Sequence, residues 1–330
     1  MKLDIKDKKI LSELCANARQ ASTKIAKKVR LSREVVEYRI KRLQKIGLIK
    51  KFITSLNIDI LGFKAYNVFL LMQNFNQEKE KEITDYLKNH RAVRWMSTCF
   101  GKWDIFLRVN VKDRMQFDEI FSEISEKLGD NLRAFEVVPT IKKLKAINPF
   151  ELFYSGENNR TPAKKPKGKA SMSKIDLMIL KEMSNNCRIS LIELSKKIKL
   201  TPEAVKYRIK KLESQGIITG YSCLIDLSVL DYSWYVILFS LKPMNKEEES
   251  SLTSLFKYNN KVWFADKNIG KWNLLLELIA KDTKDFHKSL VELRNKLGPK
   301  LNSFELLLVF KEYVYESLSK LIEEELSKII

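Results

Sequence analysis

"VVEYRIKRLQKIGLI" occupies Val35 to Ile49, and "AVKYRIKKLESQGII" occupies Ala204 to Ile218, 169 places further on. The same offset aligns Asp7 with Asp176, Leu11 with Leu180, Arg19 with Arg188, Tyr38 with Tyr207 and Gly101 with Gly270. Between Asp7 and Ile49, 18 of 43 positions are identical to their counterparts. The register survives at Lys102-Trp103 with Lys271-Trp272, Leu128-Gly129 with Leu297-Gly298 and Phe135-Glu136 with Phe304-Glu305. A period this long is no solenoid repeat; it marks the tandem duplication of a unit of about 150 residues, the size of a domain or a domain pair.

The net charge of +20 is unevenly placed. Met1 to Asn57 holds 16 Lys/Arg against 5 Asp/Glu, Ser155 to Met172 holds 5 against 1, and Ser173 to Ile225 holds 10 against 5, which accounts for the whole excess. The remainder carries 30 of each sign. A basic excess confined to the start of each repeat points to a polyanion met there, with the neutral parts doing something else. No apolar run approaches the length of a membrane span, and Met1-Lys2-Leu3-Asp4 begins no signal peptide, so the expected location is cytoplasmic and nucleoid-associated, with no membrane partner. Cys15, Cys99, Cys187 and Cys223 form no C-x-x-C pair, and His90 and His287 lack ligand-like neighbours, so no disulfide, metal or cofactor is expected.

In each basic part, apolar residues recur at three and four. Ile5, Ile10, Leu11 and Leu14 predict a first helix ending near Ala16-Asn17; Ile25, Ala26 and Val29 a second; Val36, Ile40 and Leu43 a third that Gly47 stops. The second copy repeats this with Ile179, Leu180 and Met183, then Leu194 and Ile198, then Val205, Ile209 and Leu212. Ser32 and Thr201 suit the cap of the third helix, and Pro202 its first turn. Ser190 with Glu193 reads as a capping box for the second helix, whereas Ala21 at the matching place predicts that the earlier copy starts late, at Ser22. Short turns at Leu31 and Leu200 complete a helix-turn-helix.

With Val36, Ile40 and Leu43 turned inward, the opposite face of the third helix shows Glu34, Tyr38, Lys41 and Lys45, flanked by Glu37 and Arg42. Such a helix fits the major groove of duplex DNA: Arg33, Glu34, Glu37 and Tyr38 near its start reach base edges, Lys41, Arg42 and Lys45 hold phosphates, and Ser32 at the cap belongs to the same DNA-binding set. The second copy offers Thr201, Pro202, Glu203, Lys206, Tyr207, Lys210 and Lys211. Arg33 against Pro202 and Glu37 against Lys206 predict different half-site preferences.

The neutral parts have another rhythm. After a short wing or connecting strand at Ile49 or Ile218, strands are expected at Tyr66–Gln73, Val93–Phe100, Trp103–Val111 and Leu132–Thr140, with helices at Gln77–Asn89 and Arg114–Leu128. The second copy predicts strands at Trp234–Leu241, Val262–Ile269, Trp272–Ala280 and Asn302–Phe310, with helices at Glu247–Tyr258 and Thr283–Leu297 and a tail helix from Val314. This order is βαββαβ, so the expected class is α+β: two winged-helix-like helix-turn-helix domains alternating with two ferredoxin-like domains. Leu70, Phe106 and Val137 are expected to share a sheet face covered by another sheet. The expected divisions are 1–57, 58–154, a linker at 155–172, 173–225, 226–312 and a C-terminal helix at 313–330.

Both halves resemble the Lrp/AsnC family, the leucine-responsive "feast or famine" transcription regulators. The resemblance rests on Asp7-x-x-Ile10-Leu11, Asn17-x-Arg19, Leu31-Ser32, Arg39-Ile40-x-x-Leu43-x-x-x-Gly47-x-Ile49 and Gly101-x-x-Asp104, with the series recurring from Asp176 to Gly270. It implies a helix-turn-helix that binds double-stranded DNA, a sheet domain that pairs and senses, dimers packed sheet to sheet, and amino-acid-like effectors near the Gly-x-x-Asp loop. Gly101, Asp104, Gly270 and Asn273 are the candidate effector residues, and Asn273 departs from the pattern by losing the carboxylate. Family members carry one unit per chain and this chain carries two, so an intrachain pseudo-dimer, alone or in a homo-oligomer, is expected. The basic linker, at about 5 to 6 Å times the root of its length, spans roughly 20 to 25 Å, enough for direct pairing. Two alternatives stay open: an architectural, sequence-tolerant DNA-binding protein, and an enzyme like the siroheme decarboxylases, which resemble the same architecture.

Overall fold

The computed structural model describes residues 3–146, 171–259 and 261–329; nearly all of the expected linker lies outside them. The chain divides into two compact units, neither of which is continuous in sequence. One gathers 3–63, 171–230 and 320–329, and the other gathers 64–146 and 231–319.

The first unit holds both heads. Head one is α1 (Ile5–Ala16), α2 (Ser22–Val29) and α3 (Arg33–Lys45), followed by β1 (Ile49–Leu56); head two is α6 (Lys174–Asn185), α7 (Leu191–Ile198) and α8 (Pro202–Ser214), followed by β6 (Ile218–Ile225). Each first helix opens with a capping box, Asp4 with Asp7 and Ser173 with Asp176. Two expectations at the second helices need correction. Helix α2 starts at Ser22, but in register with Leu191 of α7 and not one residue late, with Ala21 at the cap position making no side-chain bond. At α7, Ser190 accepts the Glu193 N–H, but no reciprocal bond completes a box. Ile5, expected to face inward, is exposed.

The connecting strands do not stand apart as wings. Strand β1 pairs antiparallel with β6, so the two heads share a two-stranded sheet. Around it the contacts are symmetric under the 169-residue offset. Ala18 N–H donates to Tyr221 O and Cys187 N–H to Phe52 O; Asn57 N–H donates to Ile217 O and Asp226 N–H to Leu48 O. Helix α11 (Lys320–Ile329) packs on α6 with Leu321, Ile322 and Leu326 buried, and Lys181 pairs with Glu323.

The second unit is built from β2 (Lys64–Met72), α4 (Gln77–Asn89), β3 (Val93–Gly101), β4 (Ile105–Val111), α5 (Arg114–Leu128) and β5 (Leu132–Ala146), then β7 (Ser233–Leu241), α9 (Lys246–Tyr258), β8 (Val262–Asn268), β9 (Leu274–Ala280), α10 (Thr283–Leu297) and β10 (Leu301–Tyr315). Its eight strands close into one barrel in the order β10-β3-β4-β2-β5-β8-β9-β7. The inner face of each half is covered by the other, as expected, and the halves also join edge to edge, through β5 with β8 and β10 with β3. The join explains why β5 and β10 run past the predicted ends. Strand β5 pairs with β2 over Leu132–Pro139 and then with β8 over Thr140–Ala146. Strand β10 pairs with β7 up to Val309 and with β3 from Leu307 to Tyr315, so the tail helix begins later than its apolar spacing indicates. An open sheet edge needs a partner, and here each half lends the other a strand arm.

Alternation sends the apolar residues of each strand to two opposite faces. Ile237, Phe239, Leu274, Leu276 and Leu278 pack with Phe256, Phe286 and Leu293 of the helices. The other strand faces, among them Phe69, Trp95, Phe106 and Val138 with Val236, Leu238, Phe264, Leu275 and Leu307, line the barrel interior from both halves. Leu70, Phe106 and Val137 therefore do not share a face. Phe106 pairs beside Phe69 and points in, whereas Leu70 and Val137 belong to the opposite parity. Among the described residues, no helix is long and apolar enough to cross a membrane, and no group of three or more His, Cys, Asp or Glu is placed to hold a metal ion.

Candidate nucleic-acid interface

Helices α3 and α8 are fixed at their starts and along one face. Ser32 Oγ accepts the Val35 N–H at 3.3 Å, and Thr201 Oγ1 accepts the Ala204 N–H at 3.2 Å. Val36, Ile40 and Leu43, and likewise Val205, Ile209 and Leu212, are buried. Two arginines absent from the candidate set tie each third helix to its first. Arg39 donates to Asp4 and to the buried Asp7, and Arg208 donates to Asp176 at 3.0 Å. Asp7 and Asp176 are almost fully buried, so they act as anchors for a cationic helix.

The faces left outward are polar and cationic. Arg33, Glu34, Tyr38, Lys41 and Lys45 are exposed on α3, as are Glu203, Lys206, Tyr207 and Lys210 on α8; Glu37 and Lys211 are half-buried. The tyrosines stand out, Tyr38 at 67% and Tyr207 at 70% exposure, far above what a packed aromatic ring shows. Four residues of head one are already engaged. Arg33 pairs with Glu37 at 2.8 Å, which raises the guanidinium pKa. The carboxylate of Glu34 is held below its ordinary value by its own backbone N–H and by Ser32. Arg42 turns back to Asp7 at 2.5 Å while keeping two fifths of its side chain exposed. Head two carries Pro202 and Lys206 where head one has the Arg33 and Glu37 pair, so the two faces present different groups at these positions.

The heads are coupled by a matched pair of arginines. Arg19 Nη1 donates to Cys187 O at 2.5 Å and Ile189 O at 3.0 Å. Arg188 Nη1 donates to Ala18 O at 2.6 Å and Gln20 O at 3.4 Å, and its Nη2 donates to Ser22 Oγ at 3.1 Å. Every partner of one is the 169-shifted counterpart of a partner of the other, apart from the extra serine bond. This is an isologous contact made within one chain.

The candidate effector residues serve the barrel. Asp104 Oδ2 accepts the Met72 N–H at 2.7 Å, and Asn273 Oδ1 accepts the Leu241 N–H at 2.9 Å while its Nδ2 donates to Leu241 O at 2.7 Å. An amide does the structural task of the carboxylate, which is why the departure at Asn273 is tolerated. Gly101 sits at φ +137, and a Cβ there would lie 2.6 Å from Leu306 O, so β10 can pair at this point only because the residue is glycine. Gly270 has a positive φ but open space around it, so the two loops are not equivalent.

Comparison with known proteins agrees with this division. A family model described as "Winged helix-turn-helix DNA-binding" matches residues 3–50 and again 172–219, the same 169-place offset. An uncharacterised HTH-type transcriptional regulator of Pyrococcus furiosus is 34% identical over 125 residues, 38% of this chain and 81% of that protein. The leucine-responsive regulatory protein of Haemophilus influenzae is 43% identical over 68 residues, 21% of this chain and 41% of that one. Among solved structures, the siroheme decarboxylase NirDL matches 98% of this chain and 98% of its own at TM-score 0.64 and 10% identity, a likeness of fold alone.

Proposed function

This chain belongs to the Lrp/AsnC family of HTH-type transcriptional regulators and binds DNA in that role, and from that premise we propose that a single chain acts as the family's pseudo-dimer, presenting α3 and α8 to one duplex. On this reading 1–57 and 173–225 are the DNA-binding domains, and 58–154 and 226–312 are ferredoxin-like domains with strand orders β3-β4-β2-β5 and β8-β9-β7-β10. The observation that carries the proposal is the pair of capped, outward-facing cationic helices in one unit, joined through β1, β6 and the reciprocal arginines.

In this assignment Arg33, Glu37 and Tyr38, with Lys206 and Tyr207, meet base edges; Lys41, Lys45, Lys210 and Lys211 meet phosphates; and Ser32, Thr201, Glu34 and Glu203 set the helix starts. Arg42 contributes with the part of its guanidinium not spent on Asp7. An amino-acid-like effector is proposed beside Gly101, which is exposed, and Asp104, which is half-buried. The protein is proposed to act without catalysis.

Duplex binding measured from low to physiological salt tests the proposal: affinity is expected to fall steeply, with a large ratio retained for one operator over random sequence. Lys41→Ala should weaken binding to all sequences, and Arg33→Ala should relax the preference at one base position. Loss of affinity with no operator preference at any salt would instead mark an architectural DNA binder.

The fold likeness to NirDL favours a second reading, a tetrapyrrole enzyme. Its groups are sparse here: His90 is buried, which lowers its basicity, and His287 is exposed on α10. An absorption scan with added iron tetrapyrrole tests it, and a shifted absorption band would favour the enzyme.

A further inference from the structure

Inside the barrel, Arg108 of β4 pairs with Glu277 of β9, and these two residues are each other's counterparts under the 169-place offset. A residue that meets its own counterpart lies at the pseudo-two-fold axis. Glu277 is wholly buried, and only 16% of the Arg108 side chain is exposed. Arg108 is further held over the rings of Phe264, Trp95 and Phe106 at 4.3, 5.0 and 5.1 Å, and its Nε donates to Asn67 Oδ1 at 3.2 Å. A second difference in charge between the copies lies at the seams. Lys143 of β5 stands opposite Asp266 of β8, and at the matching place Glu312 of β10 stands opposite Ser97 of β3.

We propose that this barrel accepts only unlike repeats: the first sheet module pairs with a second sheet module, and pairing of either with its own kind in another copy of the chain is excluded by charge. Two first modules would set Arg108 against Arg108. Two second modules would bury Glu277 against Glu277 and place Glu312 opposite Asp266 at both seams. Like charges desolvated together cost far more than surface repulsions, and the Coulombic term grows as the dielectric falls. The interior volumes diverge in the same sense. Phe69 and Phe106 of the first module answer Leu238 and Leu275 of the second, while Trp234 of the second answers Ala65 of the first. An interface that once could join identical units has become a lock and its key.

This deepens the intrachain pairing proposed above and does not depend on DNA binding, so its test reads melting and mass. In the full chain, Arg108→Glu and Glu277→Arg are each expected to lower the melting temperature sharply, and the double reversal to recover most of the loss. Refolding the two single variants together is expected to yield a species of twice the chain mass, in which each barrel is completed by the other chain, and neither single variant alone should form it. Single variants that melt like the parent, or a double reversal no more stable than the worse single, would overturn the proposal. Should a single reversal not be obtained folded, Lys143→Glu against Lys143→Gln decides. The glutamate is expected to melt several degrees below the glutamine because it faces Asp266, and equal melting would overturn the proposal.

Discussion

Arg19 and Arg188 reach across the head pair as identical residues to identical carbonyls, whereas Arg108 and Glu277, separated by the same 169 places, meet inside the barrel as opposite charges. The difference follows from the acceptors. A backbone carbonyl takes a guanidinium equally well from either side, so the head contact survives duplication unchanged. At a buried axis two identical charges cannot coexist, so once either copy acquires one, the other must change sign or lose it. Duplication thus left the contact between the heads two-fold and made the contact inside the barrel one-directional. An operator with two related half-sites needs the former, and a chain that supplies its own partner permits the latter.

The comparison breaks most visibly at the barrel. Glu277→Ala leaves the Arg108 guanidinium among aromatic rings without its carboxylate and is expected to cost about 3 to 5 kcal/mol in denaturant unfolding, the usual consequence of orphaning one partner of a buried ion pair. In the heads, Arg19→Ala and Arg188→Ala should each cost about 1.5 to 3 kcal/mol, because each removes charge-assisted bonds to carbonyls. The sharper expectation is that the two agree to within about 1 kcal/mol, with Arg188→Ala the larger for its extra bond to Ser22. A wide gap between them would mean that the head contact has also lost its symmetry.

Smaller still are the helix caps. Ser32→Ala and Thr201→Ala should each lose about 1 kcal/mol of stability, again nearly equal, by calorimetry on the full chain. The barrel alone should show the last effect. Burial raises the Asp266 carboxyl above its ordinary 3.8, opposed by Arg108, Lys143, the Thr140 hydroxyl and Arg94, with Glu277 also nearby. Such a group binds its proton more tightly folded than unfolded. Its contribution is full below 3.8 and is lost as pH rises through the raised value. Asp266→Asn should therefore match the parent near the acid end and gain on it toward neutral pH; a difference that is flat with pH would remove Asp266 from this account.

Much of this molecule is legible in its letters. Helical spacing at Val36, Ile40 and Leu43 and at their counterparts placed the third helices within a residue, and α4, α5 and α10 begin and end where their apolar periods do. The barrel was not legible, because alternation of period two reads the same in an open sheet and a closed one, and because β3 and β10 pair across some two hundred residues. The same ambiguity of parity misassigned Leu70 and Val137. Asp7 and Asp176 were visible as shared residues, but their burial under Arg39, Arg42 and Arg208 depends on packing between helices, which spacing along one helix cannot show. The exchange of Arg108 for Glu277 could have been found by following the offset through the sheet modules in search of reversed charges.

One measurement bears most directly on the claim that one chain presents two equivalent heads to one duplex: titration of the full chain onto an operator-length duplex, comparing Lys41→Ala with Lys210→Ala and with both together. The expected result is one chain bound per duplex, a similar loss from each single variant, and a salt dependence that is shallower in each single variant and shallowest in the double. Affinity unchanged by Lys210→Ala, with the whole loss arising from Lys41→Ala, would contradict it.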